Sequence, residues 1–189
     1  MNWEHVLSNA GTGDVAQTAE PAMDSESFAG FYERSARPLW AYLVRVSGDA
    51  ALAEDLMQES YVRFLCASTP QDGEVAARRY LFRIASNLLR DHWRRPGVVS
   101  IEELPDHLLV GKDGSAEMNS RATLGPAMAR MRPRDRQLLW LAHAENYTHR
   151  EIAEITGLGV TSIRLLLFRA RREMARLLQQ GKRAERGPR

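Results

Sequence analysis

The sequence predicts an all-helical protein of two small domains joined by a flexible linker. Apolar residues recur at three- and four-residue steps in two long blocks, and no stretch alternates apolar and polar residues as a half-buried strand does. Between the blocks, residues 96–118 are rich in proline, glycine and charged residues. We therefore expect one helical domain over residues 24–95, a linker over 96–118 and a second helical domain over 119–180.

The two ends of the chain lack the patterns of folded structure. Residues 1–23 mix small, polar and acidic residues without periodicity, so we expect this extension to be disordered. Residues 181–189 are polar and basic and predict a basic tail. The folded part of the chain is therefore expected between residues 24 and 180.

The first domain is expected to contain three helices. Asp24 or Ser25 can cap the first helix, in which Pro38 predicts a kink or a break. Asp49 can cap the second helix, because its side chain can accept hydrogen bonds from the first free N–H groups. The third helix is expected over about residues 74–93, after a loop that contains proline and glycine.

The second domain ends in a well-defined local motif, two helices joined by a tight glycine turn over residues 148–172. Thr148 and Glu151 form a capping box, because each side chain can accept from the backbone N–H of the other. Gly157 can adopt the left-handed conformation that ends the first helix. A basic second helix follows. The motif predicts a DNA-binding helix-turn-helix, with a helical hairpin whose arginines are merely solvated as the alternative.

The second helix of this motif has an apolar stripe of Ile163, Leu166, Leu167, Ala170, Met174 and Leu177. Thr161, Ser162, Arg164 and Leu165 lie off the stripe. A helix that enters the major groove contacts bases with residues on its exposed face and near its N-terminus. These four residues are therefore expected to meet the bases first.

Charge is distributed unevenly along the chain. The net charge is only +2, from 26 basic and 24 acidic residues, which is too small for a general nucleic-acid coat. Acidic residues outnumber basic ones through residue 60, whereas the stretch 78–95 and the last third are rich in arginine. This asymmetry is typical of a protein that offers an acidic surface to one partner and a basic surface to nucleic acid.

Composition argues against several functional classes. Cys66 is the only cysteine, which excludes an internal disulfide and a cysteine-cluster metal site. The five histidines are scattered, and the sequence contains no phosphate-binding glycine loop, so we expect no metal, no cofactor and no enzymatic activity. Because a membrane-spanning run and a signal-peptide pattern are both missing, we expect a cytoplasmic protein without membrane insertion.

Two motifs in the first domain, followed by the helix-turn-helix, carry a family resemblance. The first is the run Asp55-Leu56-Met57-Gln58-Glu59, and the second is the arginine-rich helix ending in Trp93-Arg94-Arg95. In this order they resemble bacterial RNA polymerase sigma factors of the sigma-70 family. The short two-domain layout resembles the extracytoplasmic-function (ECF) type. The resemblance covers residues 25–95 and 120–178, and it implies a region 2-like helical bundle and a region 4-like helix-turn-helix domain.

The resemblance implies that the acidic run docks on the clamp helices of the polymerase beta-prime subunit. The implied core-binding residues are Glu54, Asp55, Leu56, Gln58 and Glu59. Met57 is expected to be divided, like Leu56, between core and interface. The residues themselves also allow a solvated acidic face near a helix N-terminus, where negative charge is favourable.

The arginine-rich helix resembles the element that melts and holds the minus-ten region of a promoter. Cations for phosphates and flat rings for unstacked bases are what strand capture requires. The implied contact residues are Arg79, Arg83, Asn87, Arg90, Asp91, Trp93 and Arg94. Tyr80 and Phe82 are further aromatic candidates, although both can instead be core residues.

The second domain is implied to bind the minus-thirty-five element through the major groove. The candidate contacts are Thr161, Ser162, Arg164, Leu165, Phe168, Arg169 and Arg171. Leu165 and Leu166 stand where the family commonly has serine and arginine, and Phe168 replaces a common histidine. Leu165 and Phe168 are therefore expected to contact thymine methyl groups or a protein partner.

The implied function is that of a dissociable specificity subunit, monomeric when free of its partners. It would bind core RNA polymerase through the beta-prime clamp helices and the beta flap, and it would bind and open promoter DNA. An anti-sigma factor is a common further partner. Two alternatives remain from the residues alone: a conventional helix-turn-helix repressor or activator acting on duplex DNA, and a helical adaptor without a DNA role.

Overall fold

The computed structural model of the protein describes residues 24–67, 73–94 and 124–185. These residues form helices and turns, with no strand among them. The expectations for residues 1–23, for the linker 96–118 and for most of the loop before the third helix lie outside the described ranges. Six helices with resolved bounds are α1 Ser25–Ser47, α2 Ala50–Leu65, α3 Gly73–Arg94, α4 Pro133–His143, α5 His149–Thr156 and α6 Val160–Glu185.

Helices α1, α2 and α3 form the first block, and their boundaries follow from local capping. Asp24 accepts a hydrogen bond from the N–H of Ser27 at 2.9 Å at the start of α1. Gly48 ends α1 with a left-handed φ of 83°. Asp49 then caps α2 by accepting from two backbone N–H groups at 2.9 and 3.1 Å. These caps confirm the predicted starts of the first two helices.

Pro38 does not break α1, which runs without interruption from residue 25 to residue 47. A proline inside a helix costs about 3 kcal/mol, because it removes a hydrogen bond and crowds the preceding turn. Leu39, Tyr42 and Leu43 follow directly and are fully buried. Since burial of each such side chain contributes roughly 1.5–3 kcal/mol, their packing outweighs the cost of the proline.

Helices α4, α5 and α6 form the second block, together with a short helix at residues 124–129. Pro133 opens α4 at its first turn, where the missing N–H is not needed. The predicted capping box and left-handed Gly157 bound α5. Helix α6 continues to Glu185, into the segment that the sequence assigns to a basic tail, and Gly181 lies within the helix.

The two blocks pack against each other, which the sequence does not predict. Helix α4 lies against α1 and α5 lies against α3, and the buried apolar side chains of both blocks form one continuous cluster. At the contact, Gln137 Nε2 donates a hydrogen bond to the Tyr42 hydroxyl at 2.7 Å. Tyr42 also shares a 2.7 Å hydrogen bond with the Ser86 hydroxyl. The candidate functional surfaces therefore lie on one packed helical body.

We predict opposite effects on stability when two glycines are replaced by alanine. Gly157→Ala should lower the free energy of unfolding by about 1 kcal/mol, because the site has a φ of 69° that alanine disfavours. Gly181→Ala is the matched control and should raise it by about 0.5–1 kcal/mol, because this glycine lies inside α6 with open space around it. Urea denaturation monitored by circular dichroism measures both. Equal effects of the two substitutions would contradict a left-handed backbone at Gly157 and a helical one at Gly181.

Candidate nucleic-acid interface

Helix α6 presents the candidate base-contacting face. It begins directly after the turn at Gly157, and the Gly159 carbonyl accepts from the N–H of Ser162 at 2.9 Å and of Ile163 at 3.2 Å. The predicted apolar stripe faces inward, with Ile163 and Leu167 fully buried. All seven predicted contact residues are exposed: Thr161, Ser162, Arg164, Leu165, Phe168, Arg169 and Arg171.

Two large apolar side chains are exposed on this face. Leu165 is 50 % exposed and Phe168 is 55 % exposed. They border a shallow groove, and the Arg172 guanidinium lies over the Phe168 ring at 5.8 Å from its centroid. The groove is otherwise lined by Arg169, Arg172, Glu173 and Arg176. The face therefore combines apolar surface with positive charge, as a contact to thymine methyl groups and phosphates requires.

The capping box at the start of α5 is formed as predicted. Glu151 N donates to the Thr148 hydroxyl at 3.3 Å, and a Glu151 carboxylate oxygen accepts from Thr148 N at 2.8 Å. The hydrogen bond from the Thr148 backbone is the largest cause of a lowered pKa of the Glu151 carboxyl, and nearby Arg79 lowers it further. The carboxylate therefore stays ionised while it fixes the entry of the helix-turn-helix.

Helix α3 exposes three of the predicted minus-ten residues, Arg83, Asn87 and Arg94. The Arg83 guanidinium lies over the ring of the half-buried Tyr80, 4.8 Å from its centroid. Arg94 donates a hydrogen bond to Asp91, and this contact lowers the pKa of the Asp91 carboxyl. Positive charge, an amide and a ring edge thus share one side of the helix.

The aromatic residues of α3 are more buried than strand capture requires. Phe82 is fully buried, and its ring centroid lies 5.8 Å from that of Tyr147 in the second block. Phe82 is therefore a core residue and is not available to stack on bases. Trp93 is half-buried and packs against the core cluster. Tyr80 is half-buried as well, which leaves these two rings, and not Phe82, at the edge of the surface.

Arg79 and Arg90, also predicted minus-ten residues, face the second block. Arg79 Nη1 lies 3.2 Å from a carboxylate oxygen of Glu151, and its Nε lies 3.5 Å from one of Glu154. Arg90 donates to the backbone carbonyl of Thr156. The structure therefore divides the predicted set between a solvent-exposed part and a part that contacts α5.

An ion pair that the sequence does not reveal lies beside this contact. Arg78 Nη2 is 2.5 Å from a Glu145 carboxylate oxygen, which belongs to a side chain only 4 % exposed. Trp140 Nε1 donates to the other carboxylate oxygen at 3.1 Å. Burial raises the pKa of the Glu145 carboxyl, and the charge of Arg78 opposes that rise. The two residues are 67 positions apart, so no local pattern relates them.

Helix α2 carries the predicted acidic surface. Glu54, Asp55 and Gln58 are exposed, and Glu59 is paired with Arg63 at 2.6 Å one turn away. Leu56 is buried in the core, so it supports this surface from below and does not form part of it. Met57 is half-buried and packs against the core.

The sequence analysis missed Val62, a residue of α2 that is 42 % exposed. It lies four residues after Gln58 and seven after Asp55, which places the three on one face of the helix. Helical spacing from the acidic run would have located it. The acidic surface therefore has an apolar edge.

Among the described residues, no group of three histidine, cysteine, aspartate or glutamate side chains is arranged to hold a metal ion. None of the described helices is long and apolar enough to cross a membrane.

Comparison with protein families gives two matches in the same order along the chain. Sigma-70 region 2 matches residues 31–97, and Sigma-70 region 4 matches residues 123–174. The first match contains the acidic surface of α2 and the arginine-rich α3. The second contains the helix-turn-helix. Together the two matches cover more than half of the chain.

Curated relatives include ECF RNA polymerase sigma factors. BldN of Streptomyces coelicolor is 29 % identical, with 83 % of this chain and 62 % of BldN covered. SigL of Mycobacterium tuberculosis is 25 % identical, with 84 % of this chain and 93 % of SigL covered. SigE of Mycolicibacterium smegmatis is 29 % identical, and the chain spans 63 % of its length. The chain thus spans less than two thirds of BldN and SigE, and most of SigL.

A solved structure has the same fold. The sigma factor RpoE of Bartonella quintana, crystallised with the anti-sigma factor NepR, matches with a TM-score of 0.67. The sequence identity is 19 %, and the match covers 82 % of this chain and 98 % of RpoE. At this identity the likeness establishes the fold.

The capping carboxylate predicts a pH-dependent stability difference. Because the folded-state pKa of Glu151 lies below its ordinary value of 4.5, its stabilising effect is present above pH 4.5 and is lost as the pH falls through the lowered pKa. Glu151→Gln keeps a capping side chain but removes the charge, and should cost about 1 kcal/mol at neutral pH. The difference should shrink in acid. Denaturation series over pH measure it, and a difference independent of pH would contradict the role of the charge.

Proposed function

Because the chain belongs to the sigma-70 family of RNA polymerase sigma factors, we propose that it is a dissociable specificity subunit, which directs core RNA polymerase to promoters and helps to open DNA. One observation carries this proposal: an acidic surface on α2, an arginine face on α3 and a basic helix-turn-helix face on α6 are all exposed on one chain, in the order of the family. Each surface has a distinct binding task.

The acidic surface of α2 is proposed to dock on the clamp helices of the polymerase beta-prime subunit. Glu54, Asp55 and Gln58 offer carboxylate and amide groups to basic polymerase residues, and Val62 offers an apolar contact beside them. In such an interface the charged groups orient the two proteins and speed their association. The apolar contact contributes part of the affinity.

The exposed side of α3 is proposed to hold the separated minus-ten strand. Melting costs on the order of 1–2 kcal/mol per base step, so the protein must bind the single strand better than the duplex. Arg83 and Arg94 supply charge for phosphates, and Asn87 supplies an amide that can recognise a base edge. Tyr80, which lies beneath the Arg83 guanidinium, supplies a ring at the edge of this surface.

The exposed face of α6 is proposed to contact the minus-thirty-five element in the major groove. Thr161, Ser162 and Arg164 lie near the N-terminus of the helix, where a recognition helix meets base edges. Leu165 and Phe168 are placed for thymine methyl groups, and the arginines that follow are placed for phosphates. The same block is expected to contact the beta flap of the polymerase.

The proposed role is one of binding in the cytoplasm, by a chain that is monomeric when free of its partners. RNA synthesis itself belongs to the polymerase core. The Bartonella quintana RpoE structure contains an anti-sigma factor. On that basis we infer an anti-sigma partner for this chain as well, one that competes for the surfaces on α2, α3 or α6.

Transcription of genomic DNA by core polymerase of the same organism, with and without the protein, tests the proposal. Sequencing of the RNA 5′ ends should reveal new start sites preceded by two shared sequence elements. Gel shifts at moderate salt should show specific binding that depends on the polymerase. A protein that bound one palindromic duplex tightly by itself, with no effect of polymerase, would instead be a conventional repressor or activator.

We predict that reversing the charge of the docking surface impairs initiation. Asp55→Lys with Glu59→Lys should raise the polymerase concentration needed for half-maximal transcription by about tenfold, because like charges would then face each other across the interface. Glu33→Lys, an exposed carboxylate on α1, is the control and should leave transcription close to wild type. Unchanged initiation by the double variant would exclude this surface from docking.

We also predict that Arg83→Ala impairs DNA opening more than polymerase binding. The substitution removes a phosphate contact and a cation over Tyr80, so permanganate reactivity of promoter thymines should fall several-fold. Co-elution with the polymerase should stay unchanged. Arg37→Ala, an exposed arginine of α1, serves as the control for loss of charge. If both substitutions reduced opening equally, the result would contradict a specific role of α3 in DNA opening.

A further inference from the structure

We propose that Leu165 and Phe168 form a reader of 5-methylpyrimidines, with which α6 distinguishes a cytosine methylated at C5 from an unmethylated one. The inference rests on the proposed function, because that function places α6 in the major groove. The ligand is the methyl group that thymine and 5-methylcytosine share at C5, where it points into the major groove. Cytosine methylation of promoter DNA is therefore a signal that this chain can detect.

The apolar pair lies at the centre of the exposed face of α6. Leu165 and Phe168 are about 60° apart around the helix axis, and their midpoint lies roughly opposite the stripe that contains Ile163 and Leu167. Ile163 and Leu167 are fully buried, whereas Leu165 and Phe168 are exposed and do not belong to the core cluster. Packing within the described part of the chain therefore does not account for the pair.

Positive charge lies on both sides of the apolar pair. Arg164 and Arg171 lie on one side of it and Arg169 on the other, each about 70–90° from its midpoint around the axis. All three arginines are exposed. In the major groove the base edges form the floor, and the phosphates of the two strands line the two sides. An apolar centre between cationic flanks therefore matches duplex DNA as the occupant of this face.

The spacing of the pair fits two neighbouring bases. Leu165 and Phe168 are three residues apart, which is about 4.5 Å along the helix axis. Successive bases of a strand are about 3.4 Å apart. The Arg172 guanidinium lies over the Phe168 ring, 5.8 Å from its centroid, and this contact restricts the ring. The expected ligand is thus a step of two 5-methylpyrimidines.

The side chains on this face cannot separate thymine from 5-methylcytosine by polar contacts. Thymine presents the O4 acceptor beside its methyl group, and cytosine presents an amino donor at the same place. Leu165 and Phe168 have neither donors nor acceptors. The nearby hydroxyls of Thr161 and Ser162 can donate or accept, so they tolerate either base. The methyl group is therefore the feature that the pair detects.

Base analogues test the proposal directly. Duplexes are first selected from a random pool built with thymine, once by the full-length protein with core polymerase and once by the protein alone. Each thymine of a selected duplex is then replaced by uracil, which keeps the hydrogen-bonding groups and lacks the methyl. In gel shifts, two neighbouring replacements should each weaken binding by about fourfold, the value of one buried methyl group.

Cytosine methylation should act in the opposite direction at the same two positions. A cytosine·guanine pair is placed at each position, with and without a methyl group on cytosine C5. The methylated duplex should bind about fourfold more tightly than the unmethylated one, because the same apolar contact is restored.

Two variants assign the methyl contacts to individual side chains. Leu165→Ala should abolish the difference between thymine and uracil at one position, and Phe168→Ala should abolish it at the other. Each variant should keep the difference at the position that it does not contact. Because both side chains are exposed, circular dichroism should show unchanged folding.

Arg169→Ala is the matched control on the same face. It removes a cation that is placed for a phosphate, so it should weaken binding of thymine and uracil duplexes alike. The ratio of the two affinities should stay at its wild-type value. Loss of affinity is thereby separated from loss of methyl recognition.

Several results would overturn the proposal. These are equal binding of thymine and uracil duplexes, no effect of cytosine methylation, a methyl effect that survives in both apolar variants, or no duplex selected under either condition. If Leu165→Ala and Phe168→Ala weakened polymerase binding and left the thymine-to-uracil ratio unchanged, the pair would be a protein contact. Methyl-dependent binding by the protein alone, unaffected by polymerase, would support the reader and count against the proposed function alone.

Discussion

Helix α3 has three sides in three different environments: the core, α5 and solvent. The rest of the structure depends on this constraint. One side, with Leu81, Ala85 and Leu89, is buried in the core of the first block. A second side contacts α5 through Arg79 and Arg90, and the remaining side faces solvent. At about 100° per residue, the predicted DNA contacts of α3 spread over nearly half of the helix circumference, so the solvent side and the α5 side share them. The contact with α5 therefore covers part of the predicted set, Arg79 and Arg90, and leaves the rest exposed or half-buried at the surface.

The division of charge between helices gives the two kinds of partner separate surfaces. Acidic groups are concentrated on the exposed side of α2, and basic groups lie on α3 and α6. In the proposed function, polymerase and DNA therefore contact different side chains. The small net charge of +2 is thus a balance between opposed surfaces, each of which has a strong local sign. The net charge alone reveals neither the acidic nor the basic surface.

Local features could be predicted from the sequence, and long-range features could not. The caps at Asp49 and Thr148 and the turn at Gly157 depend on residues within one helical turn, and the structure confirms them. The exposed face of α6 could also be predicted, because its apolar residues recur at three- and four-residue steps on the opposite face. For Leu56 and Phe82 the sequence left both a core role and a surface role open, because their burial depends on which neighbouring helix packs there; the structure buries both. The contact between the blocks joins residues more than 60 positions apart, for which a single sequence contains no signal.

Glu151 has two partners with unrelated purposes. It completes the capping box with Thr148, which α5 needs in order to fold, and it binds Arg79 across the contact between the blocks. Glu154, one turn nearer the C-terminus, contributes to the same contact but not to the cap. A change at position 151 therefore alters both the start of α5 and its contact with α3, whereas a change at position 154 alters the contact with Arg79 and the pair with Arg150 within α5. Half of the carboxylate contact with Arg79 is thus tied to the folding of α5, and the other half is independent of it.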